Sequence, residues 1–307
     1  MTAPALSTRS LNPAAALWLA TFALFTLTAM NAIIHEAAKV TPVGQLVFWR
    51  SFVALGPIVG YLLVRREFGT AIRTKYPHKH LLRGVLGAGV MMFNFIALGY
   101  LSVGLATAIS YLTPILSIAA AMLFLRERPG AVALVGVGLG LLGIVLMLFP
   151  ALTGSEIRQG TLIGVAAGLA MAATGALSRV QVKDLTRTDP PASIALSFAV
   201  VSTLVGLVTT LFGWVDLDSQ TLMMLIVAGL LGSAGHILMT EAVARAPVSL
   251  LAGYEYTGII WAFLFDVALL GVALDVWSVS GALVVVSAAA LVAYGQGRFS
   301  ANTAGAE

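Results

Sequence analysis

Glu255 stands between two tyrosines, Tyr254 and Tyr256, with Trp261 a little further along the same apolar stretch. A carboxylate in such company could carry a proton, orient the amino group of a ligand, or serve a purely structural pairing. The aromatic faces around it suit the wall of a ligand cavity. Other polar side chains are scattered through equally apolar surroundings: Asn31, Asn94, Ser110, Tyr111, Ser178 and His236. Serine and threonine can satisfy themselves on the preceding helical turn. Asn94, His236 and Glu255 cannot do so readily, which favours an aqueous cavity over a sealed contact. Pro114, after Thr113, would free the backbone carbonyl four residues back. It and Gly258, which follows Thr257, are read as hinge positions. Catalysis finds no support. Ser233 and His236 lack a third partner and an oxyanion loop. His35-Glu36 opens like a zinc-peptidase helix, but Lys39 stands where the second histidine belongs. With no cysteine in the chain, thiolate metal sites and disulfides are excluded. No catalytic residue, metal or cofactor is expected.

The elements that would carry these residues follow from composition. Of the 307 residues, 59% are hydrophobic and 10% charged, too apolar for a soluble domain. The apolar residues fall in blocks of about twenty, the length that crosses a bilayer. Ten all-α spans are expected near 14–34, 44–64, 81–100, 104–125, 131–149, 160–180, 192–213, 220–243, 248–272 and 277–296. Continuous runs of this length do not alternate as barrel strands must. If the spans alternate in direction, every one of the 17 lysines and arginines except Lys39, Arg50 and Arg158 falls on one side. The positive-inside rule then places both termini in the cytoplasm. Ten spans divide as five and five, residues 1–153 and 154–307. An odd number per half makes the second an inverted repeat of the first. Spans 1, 3, 4, 6, 8 and 9 are expected to enclose a central cavity.

Individual charges and glycines receive more local readings. Arg50 is expected to snorkel toward the outer headgroups, Asp266 to be hydrated at that surface, and Glu241 to form a solvated pair with Arg245. Arg83 and Arg179 are counted among the cations that follow the second and sixth spans. The closely spaced glycines are read as helix-packing positions.

The segment ALGYLSVGLATAISYLTPILSIAAAMLFLRERP, residues 97–129, resembles the signature of the drug/metabolite transporter superfamily in its EamA-type branch. Glu255-Tyr256-Thr257, Trp261-Ala262 and Gly271 in the second half are similar to the same family's ninth helix. One departure stands out: where the family usually carries a Glu after the glycine, this chain has Val272. The resemblance implies ten helices in two inverted halves, alternating access, and transport of small metabolites across a bacterial cytoplasmic membrane. Amino-acid export, aromatic amino acids included, is the first reading of its substrate. The alternative is proton-coupled efflux of cationic or lipophilic drugs, with Glu255 as the cycling acid. Expected partners are a small-molecule substrate and the lipid bilayer, with no nucleic acid.

Overall fold

A computed structural model describes residues 13–74, 76–113, 116, 131–153, 159–186, 188–243, 245, 251 and 257–304. The helices are α1 (Pro13–Ala37), α2 (Val43–Val64), α3 (Pro77–Tyr100), α4 (Val103–Ser110), α5 (Ala131–Thr153), α6 (Gln159–Leu185), α7 (Pro191–Val208), α8 (Ser219–Val243), α9 (Gly258–Ala268) and α10 (Val276–Ala304). A four-residue helical turn, Phe68–Ala71, and a 3-10 turn, Thr209–Phe212, complete the set. Among the described residues there is no strand. Among the described residues, six helical stretches are long and apolar enough to cross a membrane. Large apolar side chains stand exposed along them, Val64, Leu204 and Val208 among them, the pattern of a surface that meets hydrocarbon rather than water.

Helix starts follow local chemistry. Pro77 and Pro191 open α3 and α7, where a missing N–H costs nothing. Consequently α3 begins before the apolar block does, and Arg83 lies inside the helix. Likewise α6 runs on past Arg179. The expected spans 81–100 and 160–180 already hold Arg83 and Arg179 close to one end. The observed helices are longer and set both further inside, since a cation that faces a polar interior need not end a membrane helix.

Packing is organised by small residues. A Cβ on Gly281 would lie 2.5 Å from the carbonyl of Gly143, and one on Gly143 would lie 2.8 Å from the carbonyl of Gly281. Only hydrogens allow α5 and α10 to cross this closely. The densest helix pairs are α1–α8, α3–α6, α5–α10, α2–α7, α2–α8, α3–α7, α1–α9, α4–α6 and α4–α9. Exchanging α1–α5 with α6–α10 in order returns the same set of pairs. In α2–α7 the partners run antiparallel, with Gly44 against Thr209 and Phe48 against Gly206. The same holds for α5–α10, with Gly143 against Val285 and Gly281 against Met147.

Asp266 corrects the expectation of a hydrated surface acid. Its side chain is fully buried, 0% exposed. Oδ1 accepts the Val103 N–H at 2.8 Å and Oδ2 the Gly104 N–H at 2.7 Å. The first N–H groups of a helix have no intrahelical acceptor, and in a membrane no water replaces one. Asp266 on α9 supplies both acceptors to α4. A Cβ on Gly104 would meet Asp266 Oδ2 at 2.8 Å, which explains the small residues at that helix start. Nearby, His35 Nδ1 lies 2.6 Å and 3.0 Å from the carbonyls of Leu98 and Leu101, closing the end of α3.

Glu241 and Arg245 do pair. The carboxylate also accepts from the Tyr61 hydroxyl at 2.5 Å and faces Arg65 at 3.3 Å, so it ties α2 to α8 instead of standing free in solvent. A second knot joins α3 to the start of α7. There His80 Nδ1 lies 2.7 Å from Ser197 Oγ, and its Nε2 lies 3.5 Å from Asp189. Burial opposes the charge on Asp189, yet hydrogen bonds from Thr188 and Thr74 and the adjacent His80 outweigh it. They hold this loop carboxyl below the usual range.

Candidate functional site

A cavity of about 570 Å³ lies among the helices of both halves. That is room for a small metabolite. Its walls come from all six expected helices, α1, α3, α4, α6, α8 and α9, and α2 and α7 each add one residue, Arg50 and Phe198. Among the described residues, none of the lining comes from α5 or α10, whose glycine crossing is a scaffold at the side.

The structure brings six of the polar residues singled out from sequence to this cavity: Asn31, Asn94, Ser110, Tyr111, Ser178 and His236. Asn31 on α1 and Asn94 on α3 face each other, with Nδ2 of Asn94 donating to Oδ1 of Asn31 at 3.4 Å. Ser110 donates to the Thr107 carbonyl at 2.6 Å, the self-satisfaction open to a helical serine. Ser178 lines the cavity although only 7% exposed. The His236 side chain is open to the void. Gly258 also lines it, and a Cβ there would lie 3.0 Å from the Tyr111 hydroxyl. Trp261 is not brought to the cavity. Its ring meets Phe25 edge-on, with centroids 5.2 Å apart at 84°. Tyr254, Glu255, Tyr256 and Pro114 lie outside the described residues.

Three arginines were missed as site residues. Arg50 does not snorkel outward: it is 3% exposed and faces the cavity, and its Nε has no hydrogen-bond partner. Space for its head exists because position 232 is a glycine, where a Cβ would come within 3.0 Å of Arg50 Nε and Nη2. Arg83 lies with its guanidinium over the Phe198 ring, 4.8 Å from the centroid, a cation–π contact that leaves its polar edge free. Its Nε and Nη1 have no partner, and Nη1 would lie 2.3 Å from a Cβ at Gly87. Arg179 lines the same cavity from α6 and is exposed. Among the described lining residues there is no acid. The signal for Arg50 was in the sequence, since an ionised group within a span needs a partner or a cavity. Arg83 and Arg179 fall just inside the expected spans 81–100 and 160–180, and counting them with the loop cations hid them as site residues.

The model of the EamA-like transporter family matches twice, at residues 12–149 and 158–294. The pseudopaline exporter CntI of Pseudomonas aeruginosa (strain UCBPP-PA14) is 30% identical over 258 residues, covering 80% of this chain and 86% of that protein. The riboflavin transporter of Rhizobium johnstonii is 27% identical over 231 residues, covering 71% and 74%. An uncharacterized transporter of Helicobacter pylori (strain J99) is 28% identical over 225 residues, covering 70% and 73%. One solved crystal structure superposes with a TM-score of 0.63 at 20% identity, over 91% of this chain and 96% of that one. The last is a likeness of fold alone.

Proposed function

Because the chain belongs to the EamA-like transporter family, a family of transporters and not of enzymes, we propose that it exports small polar metabolites, amino acids among them, by alternating access. The observation that carries this reading is the cavity of about 570 Å³, walled by both halves and edged with asparagine, histidine and arginine side chains. Asn31, Asn94, Ser110, Tyr111, Ser178 and His236 are its proposed binding residues. Tyr254, Glu255 and Tyr256 stay in the proposal on sequence grounds. Pro114 and Gly258 are the proposed hinges. Trp261 does not supply an aromatic wall, but Phe95, Tyr111 and Phe198 line the cavity, so aromatic amino acids stay among the proposed substrates. The described lining carries cations without a described acid, an arrangement that repels a cationic drug.

Ten spans in two inverted halves, 1–153 and 154–307, complete the reading. The symmetric set of helix pairs supports it, as do the antiparallel α2–α7 and α5–α10 pairs, since inverted counterparts must run oppositely. Rocking of one half about the other would expose the cavity to each side in turn. The one-sided distribution of lysine and arginine supports a cytoplasmic membrane with both termini in the cytoplasm. The test is counterflow in proteoliposomes of purified full-length protein loaded with unlabelled amino acids. Labelled substrate should accumulate transiently and emerge unchanged. Absence of counterflow across a panel of acidic, neutral and basic solutes would overturn the transport reading.

A further inference from the structure

We propose that the solute carried in this cavity is a small organic anion with at least two ionised carboxylate-type groups, held by the guanidiniums of Arg50 and Arg83. The proposal rests on the cavity being the transport site.

The first ground is charge without partners. Acids that form ion pairs among the described residues do so elsewhere: Glu36 with Lys39, Glu67 with Arg65, Asp184 with Lys79, Asp189 with His80, Glu241 with Arg65 and Arg245. Asp266 is committed to the start of α4. Arg50, Arg83 and Arg179 make no ion pair with a described acid, and Nε of Arg50 and Nε and Nη1 of Arg83 are buried without any hydrogen bond. Even if Glu255 served one of the three, positive charge would remain in excess.

The second ground is where the heads converge. Arg50 starts near the beginning of α2 and Arg83 near the beginning of α3, so their backbones approach the bilayer centre from opposite faces. Each side chain leans toward that centre. The Arg50 head lies against Gly232, 11 residues before the end of α8, a depth of about 16 Å at 1.5 Å per residue. Arg83 Nη1 lies against Gly87, 10 residues into α3, about 15 Å from the same face. Since α2 and α8 run parallel, with Gly229 beside Val53 and Glu241 beside Tyr61, both depths count from one side. Two like charges are thus brought to one level near the middle of the membrane. Both line the same cavity as His236. Nothing in the packing demands this. Gly232 and Gly87 are the positions that make room for it.

The third ground is the chemistry of the heads. A guanidinium presents a planar fork of donors that matches carboxylate geometry, which a lysine does not. Arg83 is steadied by Phe198, while its unbonded donors remain to be satisfied. Arg179, exposed and lining the same cavity from α6, would draw an anion in.

The experiment compares labelled succinate, L-glutamate, L-leucine and L-lysine in counterflow with wild type, Arg83→Gln and Arg50→Gln, alongside thermal shift of each protein with millimolar succinate. Succinate and glutamate should exceed leucine and lysine by about tenfold, and each variant should lose about tenfold of the anion flux, the worth of one charge-assisted contact. Succinate should raise the unfolding temperature of wild type but of neither variant. Equal movement of leucine and succinate in wild type overturns the proposal while leaving transport intact. If nothing moves, the transport reading fails. The thermal shift then decides alone: a succinate shift lost in the variants upholds the anion site, and no shift in wild type overturns it. Should Arg50→Gln not fold, the wild-type solute preference and Arg83→Gln decide between the two outcomes.

Discussion

Asp266 and Arg50 are both charged residues set in helices and both almost wholly buried, 0% and 3% exposed. Around Asp266 every need is met: each carboxylate oxygen takes a backbone N–H at the start of α4. Around Arg50 the need is left open, with Nε bonded to nothing. The contrast separates two uses of a buried charge. At the α4–α9 junction the charge serves the fold, because orphaned helix donors in a membrane require an acceptor. In the cavity the charge serves something outside the chain.

The comparison breaks first at Asp266. Asp266→Ala strips two buried N–H groups of their acceptors, and an unsatisfied buried donor costs about 1–3 kcal/mol. A loss of about 2–4 kcal/mol is expected, read as a clear fall in the thermal unfolding midpoint of detergent-purified protein. Asp266→Asn, which keeps one acceptor oxygen, should fall between. An unchanged midpoint in the alanine variant would show that α4 does not depend on this cap.

Much of this arrangement was legible in the sequence, and the misses have physical causes. Apolar blocks of bilayer length mark the helices, because backbone in hydrocarbon must bond within its own segment. Asn31, Asn94 and His236 stood out because amide and imidazole groups are costly in lipid. What sequence does not supply is azimuth. Gly258, which lines the cavity, and Trp261 are only about 60° apart around an α-helix, yet that offset is enough to set Trp261 against Phe25 instead. Depth misled for Arg83 and Arg179, which sit at the very ends of the expected spans 81–100 and 160–180 and so read as interfacial loop cations, whereas the observed helices extend beyond both. Asp266 was misread because its partners, Val103 and Gly104, lie 163 and 162 residues away in the chain.

A smaller effect is expected at Asp275, the exposed counterpart of the Asp266 cap. Its Oδ1 accepts from the N–H groups of Trp277 and Ser278, both at 2.9 Å. Burial disfavours its charge, but the hydrogen bonds from Ser278 and Trp277 outweigh that and hold the carboxyl below its ordinary range. Asp275→Ala should cost about 1 kcal/mol, typical of a helix cap. A depressed carboxyl stabilises the fold above its unfolded value near 3.9 and loses that contribution as pH falls through its folded value. The gap in midpoint between wild type and variant should therefore be full at pH 6 and shrink on acidification below about pH 4. A gap independent of pH would mean the cap does not act through the ionised form.

The smallest stability effect is expected at Arg50, and it tests the contrast most directly. Removing one member of a buried ion pair is destabilising because the other charge is stranded. Arg50 has no described carboxylate partner to strand, and its own desolvation already weighs against the folded state. Arg50→Met keeps an unbranched side chain that can fill the space beside Gly232 and Met30 while deleting the charge. Its unfolding midpoint should equal or exceed that of wild type when no solute is added. If Arg50→Met instead falls as far as Asp266→Ala, the guanidinium is holding the fold together. The division between a charge kept for the fold and a charge kept for a ligand would then collapse.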